Sequence, residues 1–287
     1  LATENAPEGK KAWYGMFPQL GAPVGFLLSS GAFLILGKTL TDQQFINYGW
    51  RIPFIASAVL VWVGLYVRLK LTETPDFLKI MENNERVRVP VADVFVKHTR
   101  AMVLGTAAAI TTFLLFYLMT VFTLSWGTSV LHYSKTSFLI AQMISMLFFG
   151  LGIPLSAIWA DKYGRGNILI LATAGIFIFG LFFSVLFSAG SLAMTSLFLA
   201  IGMFLMGLTY GPLGTALAEI FPAAVRYTGS SLAFTLAGIL GASLTPYLAT
   251  TLAEHYGLSA VGYYLCIAAI ITLAALLAAR SSINPHR

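Results

Sequence analysis

Apolar positions along this chain gather in eight long runs, where a soluble domain would show short alternating or one-sided patterns. The runs fall near residues 13–37, 52–70, 101–125, 138–160, 167–188, 192–215, 229–252 and 260–280. Each is close to or beyond the roughly 20 residues that a helix needs to cross hydrocarbon. A spanning segment finds no water for its backbone and must close its hydrogen bonds internally, so every run is predicted to be a helix. The expected fold class is all-α, a polytopic membrane protein.

The polar interruptions carry the next layer of information. The longest, 71–100, reads as a linker. Thr74-Pro75 fits a helix start with proline at the first position. Val91, Val94 and Phe95 share a face beside Asp93, Lys97 and His98, which predicts a short amphipathic helix on the membrane surface. Alternate connections hold very unequal shares of the 17 basic residues. Lys38, Arg51 and Lys135 fall in one set and all the others in the second, which includes the turn at residues 160–166. The positive-inside rule then predicts that this turn and both chain ends face the cytoplasm.

Composition agrees: 58% of residues are hydrophobic, 10% are charged, and mean hydropathy is +0.83. The net charge of +6 resides in loops, so it bears on orientation and not on nucleic-acid binding. A single cysteine, Cys266, excludes a disulfide framework and a cysteine-based metal site. The chain opens on Leu1 in a polar stretch without a signal pattern, and an N-terminal part is expected to precede it.

The most informative polar stretch is Pro154 to Asn167, PLSAIWADKYGRGN. Asp161 closes one run, Gly164 permits a tight reversal, and Arg165 opens the next. A carboxylate here can accept from a neighbouring helix N-terminus, and the guanidinium offers a forked donor to a second carboxylate. A weaker internal repeat points to the same end of the molecule. TENAPEGKKAWYG and AEIFPAAVRYTG place Glu4 with Glu219, Pro7 with Pro222 and Lys11 with Arg226 at one offset of 215 residues. Gly15 and Gly229 follow within one residue of register. Parallel repeats of six helices are a transporter signature. The expected pairs are Arg165 with Glu219, and Asp161 with Arg226 or the helix start behind it. Together with Gly164, Glu4 and Lys11 they form either a gate that opens as two bundles part or a static loop arrangement.

The 160–165 segment resembles the loop motif of the major facilitator superfamily, G-x-x-x-D-[RK]-x-G-R-[RK], with Ala157 and Gly166 departing from it. With GWRIPF (49–54), ETPDF (73–77) and EIFPAAVRYTG (219–229), the chain resembles that superfamily's metabolite:proton symporters over almost its whole length. The resemblance implies twelve helices in two bundles, a central site, alternating access and proton-coupled import across a bacterial inner membrane. Eight of the twelve would then be present: residues 1–70 give the last two helices of the first bundle, 71–100 the inter-bundle linker, and 101–287 the second bundle. Eight helices alone are not expected to transport.

Charge inside a bilayer costs about 2.5–3.5 kcal/mol on insertion scales, and no run carries an Asp, Glu, Lys, Arg or His at its middle. A proton-titrating group is therefore expected in the preceding helices. Uncharged candidates for substrate contact are Gln19, Phe116, Tyr117, Thr120, Gln142, Tyr210 and Thr235. At about 100° per residue, Thr112, Phe116, Thr120 and Thr123 share a face with Tyr117 at its edge, and Gln142, Ser145, Phe149 and Ser156 share another. Directed hydrogen bonds from such groups suit a polar metabolite in an apolar cavity. Serine and threonine also bond their own backbone, and the stripe Ser231, Thr235, Gly238, Ala242 and Thr245 fits close helix packing better. The expected function is secondary active import of a small organic acid or zwitterion by proton symport. The alternative is an uncoupled facilitator or channel. A membrane enzyme would need a nucleophile–histidine or acid–histidine arrangement that the sequence does not offer. No cofactor other than the coupling proton is expected, and the partners are the solute and the bilayer, with the protein a monomer.

Overall fold

A computed structural model describes residues 6–70, 90–187 and 190–283. The described residues contain helices and no strand. Among the described residues, seven helices are long and apolar enough to span a membrane: α1 (Lys11–Thr39), α2 (Asp42–Lys70), α4 (Thr99–Ser129), α5 (Lys135–Tyr163), α7 (Leu192–Ile220), α8 (Ala223–Tyr256) and α9 (Leu258–Ala278). The eighth expected span is a shorter apolar helix, α6 (Arg165–Leu181), followed by the turn Phe183–Phe187. The short amphipathic helix is α3 (Pro90–Lys97), with Val94 fully buried against Met102, Phe221 and Val225. The predicted start at Thr74-Pro75 lies outside the described residues, as does Glu4.

Helices α4 to α9 pack around one another, and the tightest crossing is α5 on α7. Glycine makes this possible. A Cβ on Gly152 would lie 2.7 Å from the Phe204 carbonyl oxygen, and one on Gly207 would lie 2.9 Å from the Gly152 Cα. The Ser156 hydroxyl donates to the Gly207 carbonyl at 3.3 Å across the same contact. Lipid tails give no hydrophobic reward for burying one apolar helix against another, so close backbone approach and dispersion hold such pairs. Helices α4 and α9 add a threonine pair: Thr272 Oγ1 donates to the Ala107 carbonyl at 2.7 Å and lies 2.8 Å from Thr111 Oγ1. At the end far from Asp161, Phe179 and Phe187 stack on Phe198 at 5.0 and 5.1 Å.

Helix α1 leans on α5, and its first turn also reaches α7. Helix α2 packs against α1 and has no buried residue from Arg51 onward.

Among the described residues, three helices are interrupted by π turns, Phe45–Gly49 in α2, Leu118–Phe122 in α4 and Ile239–Ser243 in α8. An extra residue in a turn breaks the i→i−4 ladder and rotates everything beyond it. In α8 the π turn brings Gly241 against the Ile110 carbonyl of α4. The small-residue stripe of α8 behaves accordingly. Ala242 and Thr245 are buried, but Ser231 and Thr235 are exposed, so the expectation of close packing fails for the first half of the stripe.

Candidate functional site

The candidate site has two parts, a charged junction at the basic end of the helices and an aromatic face further in. The junction is built on Gly164, which ends α5 and begins α6 at φ 93°, a conformation that disfavours any side chain. It turns the chain so that Asp161, in the last turn of α5, and Arg165, at the first position of α6, are adjacent. Asp161 caps α1. Its Oδ1 accepts from the Ala12 N–H at 2.8 Å and its Oδ2 from the Trp13 N–H at 2.9 Å. These are among the first N–H groups of a helix, which lack intrahelical acceptors and lie at the positive end of the dipole. The Arg165 guanidinium pairs with Glu219 on α7, and its Nη2 lies 4.0 Å from Asp161 Oδ1. All three side chains are less than 20% exposed. Shielded from water, these contacts are stronger than surface ion pairs.

The expected Arg165–Glu219 pair therefore forms, whereas Asp161 does not pair with Arg226. Both of its oxygens go to the start of α1. Arg226 opens the α-helical part of α8, and its buried Nε has no hydrogen-bond partner among the described residues. Lys11 is exposed at the first position of α1.

Four of the seven uncharged candidates converge. Phe116 on α4 touches Phe26 of α1, Tyr117 and Phe149 of α5, at ring separations of 6.4, 5.7 and 6.3 Å. Phe149 lies 5.5 Å from Tyr210 on α7, which in turn meets Phe234 of α8 at 6.5 Å. One turn beyond Tyr210, the Gln19 carboxamide of α1 lies against Gly214, 3.1 Å from where a Cβ would stand. A half-buried aromatic face thus runs from α1 across α4, α5 and α7 to α8. Neither the Tyr117 nor the Tyr210 hydroxyl hydrogen-bonds a described residue. Phe26 and Phe234 were not singled out in the sequence, because phenylalanine is so frequent in these spans that position alone does not distinguish one.

Gln142 and Thr120 belong to a different arrangement. Gln142 is 1% exposed, and its Nε2 donates to the Met119 and Thr120 carbonyls at 2.9 and 2.8 Å. Those carbonyls lie in the π turn of α4, where the regular ladder is interrupted, and the amide supplies donors that the helix lacks there. Its Oε1 is buried without a partner among the described residues. The Thr120 and Thr123 hydroxyls donate to the Phe116 and Met119 carbonyls, each at 2.6 Å. Thr235 stands apart, exposed on α8. The face expected on α5 is real: Gln142, Ser145, Phe149 and Ser156 are all buried on one side.

Comparison with known proteins gives this geometry a family. The chain is 46% identical over 282 residues to the inner membrane metabolite transport protein YhjE of Escherichia coli K12, covering 96% of this chain and 64% of that protein. The shikimate transporter of the same organism is 31% identical over 265 residues, covering 89% of this chain and 59% of its own length. The chain thus spans somewhat less than two thirds of these curated relatives. Among solved structures, the proton:xylose symporter XylE bound to 6-bromo-6-deoxy-D-glucose superposes with a TM-score of 0.68 at 18% identity, covering 98% of this chain and 66% of that one, a likeness of fold. Residues 10–246 match the Major Facilitator Superfamily. With a matching loop at Asp161, eight apolar helices and the same fold, the chain belongs to the Major Facilitator Superfamily.

Proposed function

We propose that these helices form the fifth to twelfth spans of a secondary transporter that imports a small organic acid or zwitterion by proton symport through alternating access. In this reading residues 1–70 close the first bundle, 71–100 link the bundles, and 101–287 form the second. The basic end faces the cytoplasm of a bacterial inner membrane, and the transporter works as a monomer with the proton as its coupling ion. The observation that carries the reading is the pair of hydrogen bonds that the Asp161 carboxylate accepts from the start of α1. It fastens the first group of helices to the second at the basic end, through a contact that can break as a unit. The Arg165–Glu219 pair holds the carboxylate's surroundings in place.

The aromatic face supports a binding role for Tyr117, Tyr210 and Gln19, whose polar groups lie where α1 meets the six-helix group. Directed donors on an apolar wall suit a solute that must be held and then released. Relatives named for metabolite and shikimate transport support the solute class.

The test is solute uptake into vesicles by the transporter that contains these helices. Accumulation against a gradient that collapses with a protonophore is expected, and equilibration without accumulation would leave the uncoupled facilitator. Asp161→Asn should cut uptake at least tenfold while membrane insertion persists. A cysteine at position 162 should be labelled only from the cytoplasmic side, and external labelling would reverse the assigned orientation.

A further inference from the structure

Phe116 and Tyr117 are the last two residues of α4 before its π turn, so where they point depends on that turn. The two halves of α4 are anchored separately. On the inward side, Thr111 Oγ1 lies 2.8 Å from Thr272 Oγ1, and the Ile110 carbonyl lies against Gly241. On the outward side, Gly127 lies against the Phe138 ring, and Phe122 meets Phe183 and Phe187 at ring separations of 6.4 Å. A π turn between fixed ends holds one residue more than an α turn. Moving that extra residue along the helix rotates every residue it passes by about 100°.

We infer that Gln142 is a positioning residue: it keeps the extra residue at Leu118–Phe122 and thereby keeps Phe116 and Tyr117 on the aromatic face. Its Nε2 donates to the Met119 and Thr120 carbonyls. Both bonds come from α5, so a tertiary contact fixes the place of the turn, and both are lost if the turn moves. The next place along the helix is already furnished. The Thr120 hydroxyl donates to the Phe116 carbonyl at 2.6 Å, which keeps that oxygen paired while the ladder is broken there. Without Gln142 the turn can shift inward, carrying Phe116 and Tyr117 about 100° off the face. An outward shift is opposed, because it would first turn Phe122 away from Phe183 and Phe187. The role in transport rests on the proposed contact of Tyr117 with solute, whereas the placement of the turn stands without it.

The 287-residue chain, labelled with fluorotyrosine and purified in detergent, would be examined by fluorine NMR, with signals assigned by Tyr117→Phe and Tyr133→Phe. Gln142→Leu should move the Tyr117 signal and leave that of Tyr133, beyond the outward half of α4, in place. Deleting Val121, the one residue of the turn that is not buried, removes the extra residue and with it the need for the amide. The deletion should return the Tyr117 signal of the Gln142→Leu variant to its original position, which it would not do for a side chain that only fills space. In thermal unfolding the two changes should be non-additive, Gln142→Leu costing stability with Val121 present and none without it. An unmoved Tyr117 signal, or an equal cost in both backgrounds, would overturn the inference. If Gln142→Leu does not fold, the double variant decides: recovery of folding supports the inference and continued failure overturns it. In the transporter that contains these helices, Gln142→Leu should raise the half-saturating solute concentration about tenfold, the equivalent of one hydrogen bond, with a smaller effect on the maximal rate. An unchanged half-saturating concentration beside a moved Tyr117 signal would overturn the role in transport. Failure of the transport reading itself would show separately, as no uptake by the unsubstituted transporter.

Discussion

Helices α1 and α8 begin in nearly the same way and are held differently. A proline precedes each at the same distance, and the third residue after it donates to the proline carbonyl at 3.1 Å, Lys10 to Pro7 and Val225 to Pro222. The residues before the first α-helical position adopt φ −125°, ψ 19° at Lys10 and φ −123°, ψ 7° at Val225. A base then opens each helix, Lys11 or Arg226. At α1 the free N–H groups meet the Asp161 carboxylate, brought from another helix. At α8 no described side chain caps the start. The shared backbone is local, because proline fixes φ and the next residues follow into a turn. The cap is tertiary, and only one of the two starts receives it from this chain.

Substitutions can break or sharpen that contrast. The largest loss of stability is expected for Asp161→Ala, about 2–4 kcal/mol for two charge-assisted bonds at a largely buried carboxylate. Trp13, whose own N–H is one of the donors, reports it by fluorescence during detergent-to-SDS titration. Glu219→Gln should cost less, about 1–3 kcal/mol. It leaves the Arg165 charge with only the 4.0 Å contact to Asp161. If Glu219→Gln proved the more damaging of the two, the ion pair and not the cap would be the main fastening. Arg226→Gln should cost under about 1 kcal/mol, since its guanidinium makes no ion pair with a described residue. A loss matching that of Asp161→Ala would erase the distinction between the helix starts. Lys11→Ala, at an exposed position, should leave the titration midpoint unchanged.

The aromatic face and the π turn of α4 show where reading by periodicity stops. Placing Thr120 and Thr123 on one face with Phe116 assumes a uniform rotation per residue. The π turn at Leu118–Phe122 breaks that assumption between them, and both hydroxyls bond backbone carbonyls instead. Gln142 was singled out because an unpaired amide in a membrane is expensive, and its amino group is indeed paired. Its donors serve carbonyls of the neighbouring helix, a pairing that no spacing within α5 could reveal.

The sequence by itself determined that this is a stack of membrane-spanning helices, roughly where each lies, and which ends are basic. Hydropathy is summed over a single segment, and the bilayer imposes the same requirement on every segment whatever its neighbours. It also supplied Gly164, whose conformation is decided within its own turn, and the complementary charges of Arg165 and Glu219. Only the tertiary structure decided that Asp161 belongs to the start of α1 and not to Arg226, that Gln142 repairs a π turn, and that Tyr117, Tyr210 and Gln19 share a face. Each of those outcomes depends on how closely two helices approach and at what height they cross. Those distances are set by small-residue contacts such as Gly152 on Gly207, which involve both helices at once and are written in neither alone.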